Sequence, residues 1–148
     1  MSELSLTSPD FEEGGEIPKK CGYKHGNVEP ELRLEHTPSG TKAIAIIMDD
    51  PDAMKAVGKV WVHYLCYAGW AQDADYDERH QEILGKTDFG EIGYGGPAPP
   101  DGRHTYIYKV YALDIELDLD EGYSKQELED AMKGHILAEA KLTGTFAP

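Results

Sequence analysis

The sequence predicts a mostly-β sandwich with large loops and one peripheral helix near its C-terminus, and three observations carry that expectation. Ala43–Met48, Lys59–Ala68 and Thr105–Leu113 are apolar, branched or aromatic runs too short for core helices and suited to strands. Between the last two lies a segment dense in Gly and Pro, with Gly90, Gly93, Gly95, Gly96, Pro97, Pro99, Pro100 and Gly102, which can be neither helix nor central strand. Ser124-x-x-Glu127, ahead of Leu128, Ala131 and Met132, is the sequence's clear helix start. Many short strands with one helix at the side is a layered β architecture. No repeat or linker divides the 148 residues, so one domain spanning 1–148 is expected.

In chain order, residues 1–18 begin polar and then place Phe11 and Ile17 around a Gly14-Gly15 turn, as in a pair of short edge strands. Lys19 to Pro38 is loop-rich, although Leu32 and Leu34 alternate with charge like a half-exposed strand. The strand over Ala43–Met48 ends in Asp49-Asp50-Pro51-Asp52. Proline biases Asp50 toward an extended backbone, and burying three carboxylates together is costly, so at least two of them are expected in solvent or capping turns. Ala53 to Lys59 reads as loop. In the next strand, period-two counting puts Trp61, His63, Leu65 and Tyr67 on one face, with Val62, Tyr64, Cys66 and Ala68 on the other. Gly69 to Lys86 is an acidic connection with room for a short helix. The Gly/Pro segment from Asp88 reads as a long, ordered loop feeding the strand that carries His104 and Tyr106. Asp114 to Gly122 is an acidic, solvated run. The helix opened at Ser124 is expected to run through Ile136 with Gly134 inside it, and LTGTF closes the chain as a turn or short strand.

A formal charge of −14 argues against nucleic acid as a partner and against anionic membrane surfaces. No apolar run approaches the ~20 residues of a membrane span, and the N-terminus lacks a signal-peptide pattern, which together favour the cytoplasm. Cys21 and Cys66, outside any CxxC, fit free thiols in a reducing compartment.

Asp50, His63, His104 and Tyr106 each sit at a strand or strand–loop junction. Two imidazoles and a phenol offer N–H and O–H donors to an oxyanion, and a carboxylate beside them can orient one imidazole. Spacing alone leaves a second reading open, in which His63 is a satisfied core histidine and Tyr106 a packing residue. Zinc held by His63, His104 and Asp50 lacks any supporting HxH, HExxH or CxxC pattern, so neither metal nor cofactor is expected. Gly93-x-Gly95 leads into prolines, not a helix, against a dinucleotide site. There is no GxSxG and no P-loop, and no catalytic residue is assigned. His25, His36 and His80 stand in polar surroundings. His135 faces either core or a pocket mouth, and Tyr94 either walls a pocket or anchors its loop.

Motifs along nearly the whole chain resemble the phosphatidylethanolamine-binding protein family, in particular its bacterial and archaeal Raf-kinase-inhibitor-like branch. They are Ser8-Pro9-x-Phe11 with Gly14-Gly15-x-Ile17-Pro18, Gly26-Asn27-Val28-x-Pro30, Asp49-Asp50-Pro51-Asp52-Ala53 and Trp61-Val62-His63. Asp88-Phe89-Gly90, Gly93-Tyr94, Gly96-Pro97-x-Pro99-Pro100 and His104-x-Tyr106 continue the likeness, as do Gly134-His135-Ile136-Leu137-Ala138 and Leu142-Thr143-Gly144-Thr145-Phe146. The resemblance implies that family's β-sandwich, with Asp50, His63, Pro99, Pro100, His104 and Tyr106 lining a small anion pocket at one end of the sheets. It implies a binding or inhibitory module without enzymatic activity, a phosphorylated or other oxyanionic ligand, a protein kinase or protease as an inhibited partner, and a homodimer. The alternatives are a kinase or protease inhibitor acting through the surface around the pocket and, behind it, a phosphoester or ester hydrolase using the His/Asp cluster. This chain departs from the family pattern at Met54, Tyr64 and Thr105 and in its shortened Pro100–His104 loop, which bears on pocket size.

Overall fold

The computed structural model describes residues 3–70 and 82–148. The short helix expected between Gly69 and Lys86, and His80, fall largely or wholly outside them. Among the described residues the strands are β1 (Ser5–Thr7), β2 (Gly15–Glu16), β3 (Arg33–Glu35), β4 (Ala43–Asp50), β5 (Trp61–Gly69), β6 (Ile83–Leu84), β7 (His104–Leu113) and β8 (Ile136–Phe146). The helices are α1 (Ala53–Val57) and α2 (Lys125–Met132). Six strands form one sheet in the order β2-β8-β7-β4-β5-β6, and β1 pairs with β3 in a second, two-stranded sheet. Every pairing is antiparallel except β2 with β8.

The large sheet is covered on both sides, which is why β4 reads as an unbroken apolar run. Ile44 and Met48 join Tyr64, Cys66, Tyr106, Tyr108 and Val110 in a core under the small sheet, with Leu4, Leu6 and Phe11. Ala43, Ala45 and Ile47 point the other way, with Leu65 and Tyr67, to meet Leu128 and Met132 of α2. The expected capping box is formed: Ser124 Oγ accepts from the Glu127 amide at 3.1 Å, and Glu127 Oε1 accepts from the Ser124 amide at 3.0 Å.

Four expectations need correction. Helix α2 stops at Met132, because Gly134 takes φ +83° and turns the chain, and Ile136 begins an eleven-residue strand. Strand β8 then pairs with β7 from Ile136 to Phe146, a hydrogen-bonded length that one more helical turn cannot match. Ala53 to Lys59 contains α1, ended by Gly58 at φ +80°, whose amide bonds Met54 O. The alternation in β5 breaks at His63. Met48 pairs with Tyr64 but Asp49 pairs with Val62, so His63 is the extra residue of a bulge. Val62 thus packs with Leu65 and Tyr67 on the α2 side, while His63 lies against Tyr106 under the small sheet. Finally, Asp49 and Asp50 are both buried, at 2% and 3% exposure. Distant cations make this tolerable: Asp49 accepts from Lys125 at 3.1 Å and Lys109 at 3.4 Å, and Asp50 from His104.

Candidate functional site

Asp50-Pro51-Asp52 and the start of β7 are bound together by both of the motif's outer carboxylates. Asp50 Oδ2 meets His104 Nδ1 at 2.6 Å, and Asp52 Oδ2 accepts the Thr105 amide at 2.8 Å. The bulge in β5 turns His63 into the same region, where its ring lies edge-on to Tyr106 with centroids 5.1 Å apart. The His104 ring lies roughly parallel to that of Tyr106, with centroids 6.3 Å apart. A cavity of about 160 Å³ opens there, lined by Asp50, Trp61, His63, Pro100 and His104 among apolar walls that include Ala53, Val57 and Phe89.

The Gly/Pro loop is held as a wall by side chains from elsewhere in the chain. Asn27 Nδ2 donates to Tyr94 O at 2.9 Å, and its Oδ1 accepts the Gly96 amide at 2.7 Å. Tyr94 anchors this loop by donating to Cys21 O at 2.9 Å. A Cβ on Gly96 would lie 1.9 Å from that same carbonyl oxygen, so only glycine fits. The Gly95 amide donates to His63 O at 2.8 Å, and Gly95 O lies 2.7 Å from His63 Nδ1.

These bonds assign the protons. A carbonyl only accepts, so His63 carries its hydrogen on Nδ1. Burial, against the opposing pull of the Gly95 carbonyl and Asp50, lowers the His63 pKa and leaves Nε2 as a lone pair. His104 is the opposite case. Its Nδ1 faces Asp50 and its Nε2 lies 2.6 Å from Asp101 Oδ1, so both nitrogens donate and the ring is an imidazolium. Burial works against that charge, but the two carboxylates outweigh it and the pKa is raised. Asp50 Oδ1, Trp61 Nε1 and the Tyr106 hydroxyl are buried with no partner at full hydrogen-bond geometry, although the Asp50 carboxylate and the Ala98 backbone lie near the Tyr106 hydroxyl. Among the described residues no three His, Cys, Asp or Glu side chains are grouped to hold a metal.

Residues 7–147 match the family described as phosphatidylethanolamine-binding protein. The chain belongs to this family. A UPF0098 protein of Methanothermobacter thermautotrophicus is 36% identical over 151 residues, covering 97% of this chain and 98% of that protein. One from Chlamydia muridarum is 39% identical over 147 residues with the same coverage. The crystal structure of a phosphatidylethanolamine-binding protein homologue, CT736 of Chlamydia trachomatis, superposes with a TM-score of 0.84 at 35% identity, covering 98% of this chain and 97% of that one. YbcL of E. coli, described as a member of the mammalian family, gives 0.82 at 26% identity, covering 98% of both chains. These family and relative names specify no enzymatic activity.

In this member of the phosphatidylethanolamine-binding protein family, Asp50, His63, His104 and Tyr106 come together. Pro100 lines the cavity, whereas Pro99 and Tyr106 are buried and absent from the lining, Tyr106 lying behind the rings of His63 and His104. His135 lies apart, with its Nδ1 2.9 Å from Asp114 Oδ1, and His25 and His36 are exposed. Sequence reasoning missed Trp61, Phe89 and Asp101. Trp61 and Phe89 stand there only as residues of a strand face or a motif, and Asp101, in a Pro-Asp-Gly turn, carries no signal of its own. Both cysteines are buried free thiols. No described helix is long and apolar enough to cross a membrane.

Proposed function

We propose that this protein is a binding module, not an enzyme, whose cavity takes a small oxyanion: a phosphate or the phosphoryl end of a larger molecule. The observation that carries the reading is the set of unpartnered buried atoms beside an imidazolium. Leaving such groups unmet costs about 1–3 kcal/mol each. Trp61 Nε1–H lacks an acceptor and Asp50 Oδ1 a donor, and the Tyr106 O–H, behind the cavity lining, has only a loose approach to the Asp50 carboxylate. A phosphate that retains one proton presents both kinds of partner, and His63 Nε2 can also accept. At roughly 30 Å³ per water, a cavity of about 160 Å³ has room for some five waters. It therefore fits the phosphoryl group, and the rest of a larger ligand lies outside, toward the exposed Met54 and Val57.

The test is inorganic phosphate binding to the wild type and to Tyr106→Phe, measured by calorimetry beside urea unfolding of the free proteins. A hydrogen bond to a charged ligand is worth about 1.5–3 kcal/mol, so the variant is expected to bind at least about tenfold more weakly. Removing an unmet hydroxyl leaves the stability of the free protein unchanged or higher. Equal affinities, or a large loss of stability, would show that Tyr106 is a packing residue and the reading is wrong.

A further inference from the structure

His104 is held by two carboxylates of unlike character. Asp50 is buried, with its side chain 4% exposed, and its bond to Nδ1 belongs to the interior. Asp101 is half exposed, at 50%, and reaches Nε2 from the turn at the edge of the cavity. The two ends of that turn have different neighbours. Pro100 lines the cavity, and Arg103 is bound to Glu16 and to Thr145 Oγ1. Gly102 between them sits at φ +150°, with nothing within 4 Å of where a Cβ would be. A glycine in open space gives the backbone beside Asp101 the freedom to move that carboxylate on and off His104.

We propose that Asp101 is an internal ligand: its carboxylate takes the outward N–H of His104, competes with external oxyanions, and selects which of them the site accepts. The inference rests on the oxyanion reading above and names its specificity determinant. A carboxylate tethered three residues away acts at high effective concentration, which a free monocarboxylate of equal basicity must exceed. Acetate is thus refused. A phosphate can displace Asp101, because it brings further oxygens for Tyr106 and Trp61 and a proton for Asp50. If Asp101 is seated about nine-tenths of the time, the apparent affinity of any competitor falls about tenfold.

The experiment compares wild type, Asp101→Ala and Asp101→Asn, each titrated with inorganic phosphate and with acetate at one pH and ionic strength. Ring ¹⁵N–¹H signals of His104 report occupancy. Without ligand, the His104 Nε2 proton should exchange with solvent faster in Asp101→Ala than in wild type, and added phosphate should slow it again. Phosphate should bind Asp101→Ala about tenfold more tightly than wild type. Acetate should bind the variant but not the wild type, with Asp101→Asn between the two for both ligands. Phosphate affinities within twofold of each other, with His104 responding in both proteins, would overturn the role of Asp101 and leave the oxyanion site standing. No response at His104 in any of the three would overturn the oxyanion site and the internal ligand with it.

Discussion

Changing Asp50 to Asn probes the innermost bond of the site. Both partners are almost fully buried and their polar atoms are 2.6 Å apart. Removing one member of such a pair leaves its partner's charge uncompensated and commonly costs about 3–5 kcal/mol. The amide that replaces the carboxylate would keep an acceptor for His104 Nδ1, and Asp101 would still balance the ring from outside, so the expected loss is nearer ~2–3 kcal/mol. Equilibrium urea unfolding reads this directly. With a slope of about 1–3 kcal/mol per molar, the midpoint should fall by about 0.7–3 M. The pH dependence carries the sign. The raised pKa of His104 contributes stability that is complete below the ordinary histidine value and is lost as pH rises through the folded value. The gap between wild type and Asp50→Asn is therefore close to full at the ordinary histidine value of about pH 6.5 and narrows as pH rises above it. His63 has the opposite sign: its lowered pKa removes stability only as pH falls below the ordinary value, outside that window. Midpoints within about 0.2 M at the lower pH, or a gap that does not change with pH, would refute the buried ion pair.

Two further outcomes follow from the scaffold. Asn27→Ala removes both of the bonds that Asn27 makes to the Gly/Pro loop, at 2.9 and 2.7 Å, and should cost about 1–3 kcal/mol in thermal or urea unfolding. It should also speed hydrogen exchange of the Gly96 amide. Leu128→Ala empties a wholly buried position under α2 and should cost about 2–5 kcal/mol, read from the urea midpoint, without altering phosphate affinity.

The parts of this fold that show in the sequence are those whose burial is two-sided or whose caps are local. Strands β4, β5 and β7 announce themselves by density of Ile, Val, Tyr and Trp, and the start of α2 by Ser124 and Glu127. Strand β8 does not, because its inward positions under the small sheet begin with Ala138 and Ala140, too small to mark a period-two pattern before Leu142. Its first residue, Ile136, falls at helical spacing from Met132, so only the left-handed Gly134 separates the two readings. The bulge at His63 is a property of the β4–β5 register, which no single strand encodes. In the site, the residue types were visible and their partners were not. Asp50 meets a histidine 54 residues away, Asp49 meets lysines on β7 and α2, and the proton on His63 is set by a loop carbonyl 32 residues distant. The family resemblance placed the same side chains together, and the coordinates supply how each nitrogen is used. Reading both imidazoles as donors to a ligand was wrong for His63, whose one hydrogen faces Gly95 in the neutral form.

The proposed oxyanion site needs His104 and Trp61, which line one small cavity, and Tyr106, packed beside His104, to act as donors together. Titrating the ¹⁵N-labelled wild type with inorganic phosphate, while following the His104 ring and the Trp61 indole N–H, tests it most directly. The account predicts that both signals move together along one saturable curve, with His63 retaining its Nδ1–H tautomer throughout. Movement of neither, or saturable shifts confined to surface lysines, would contradict it.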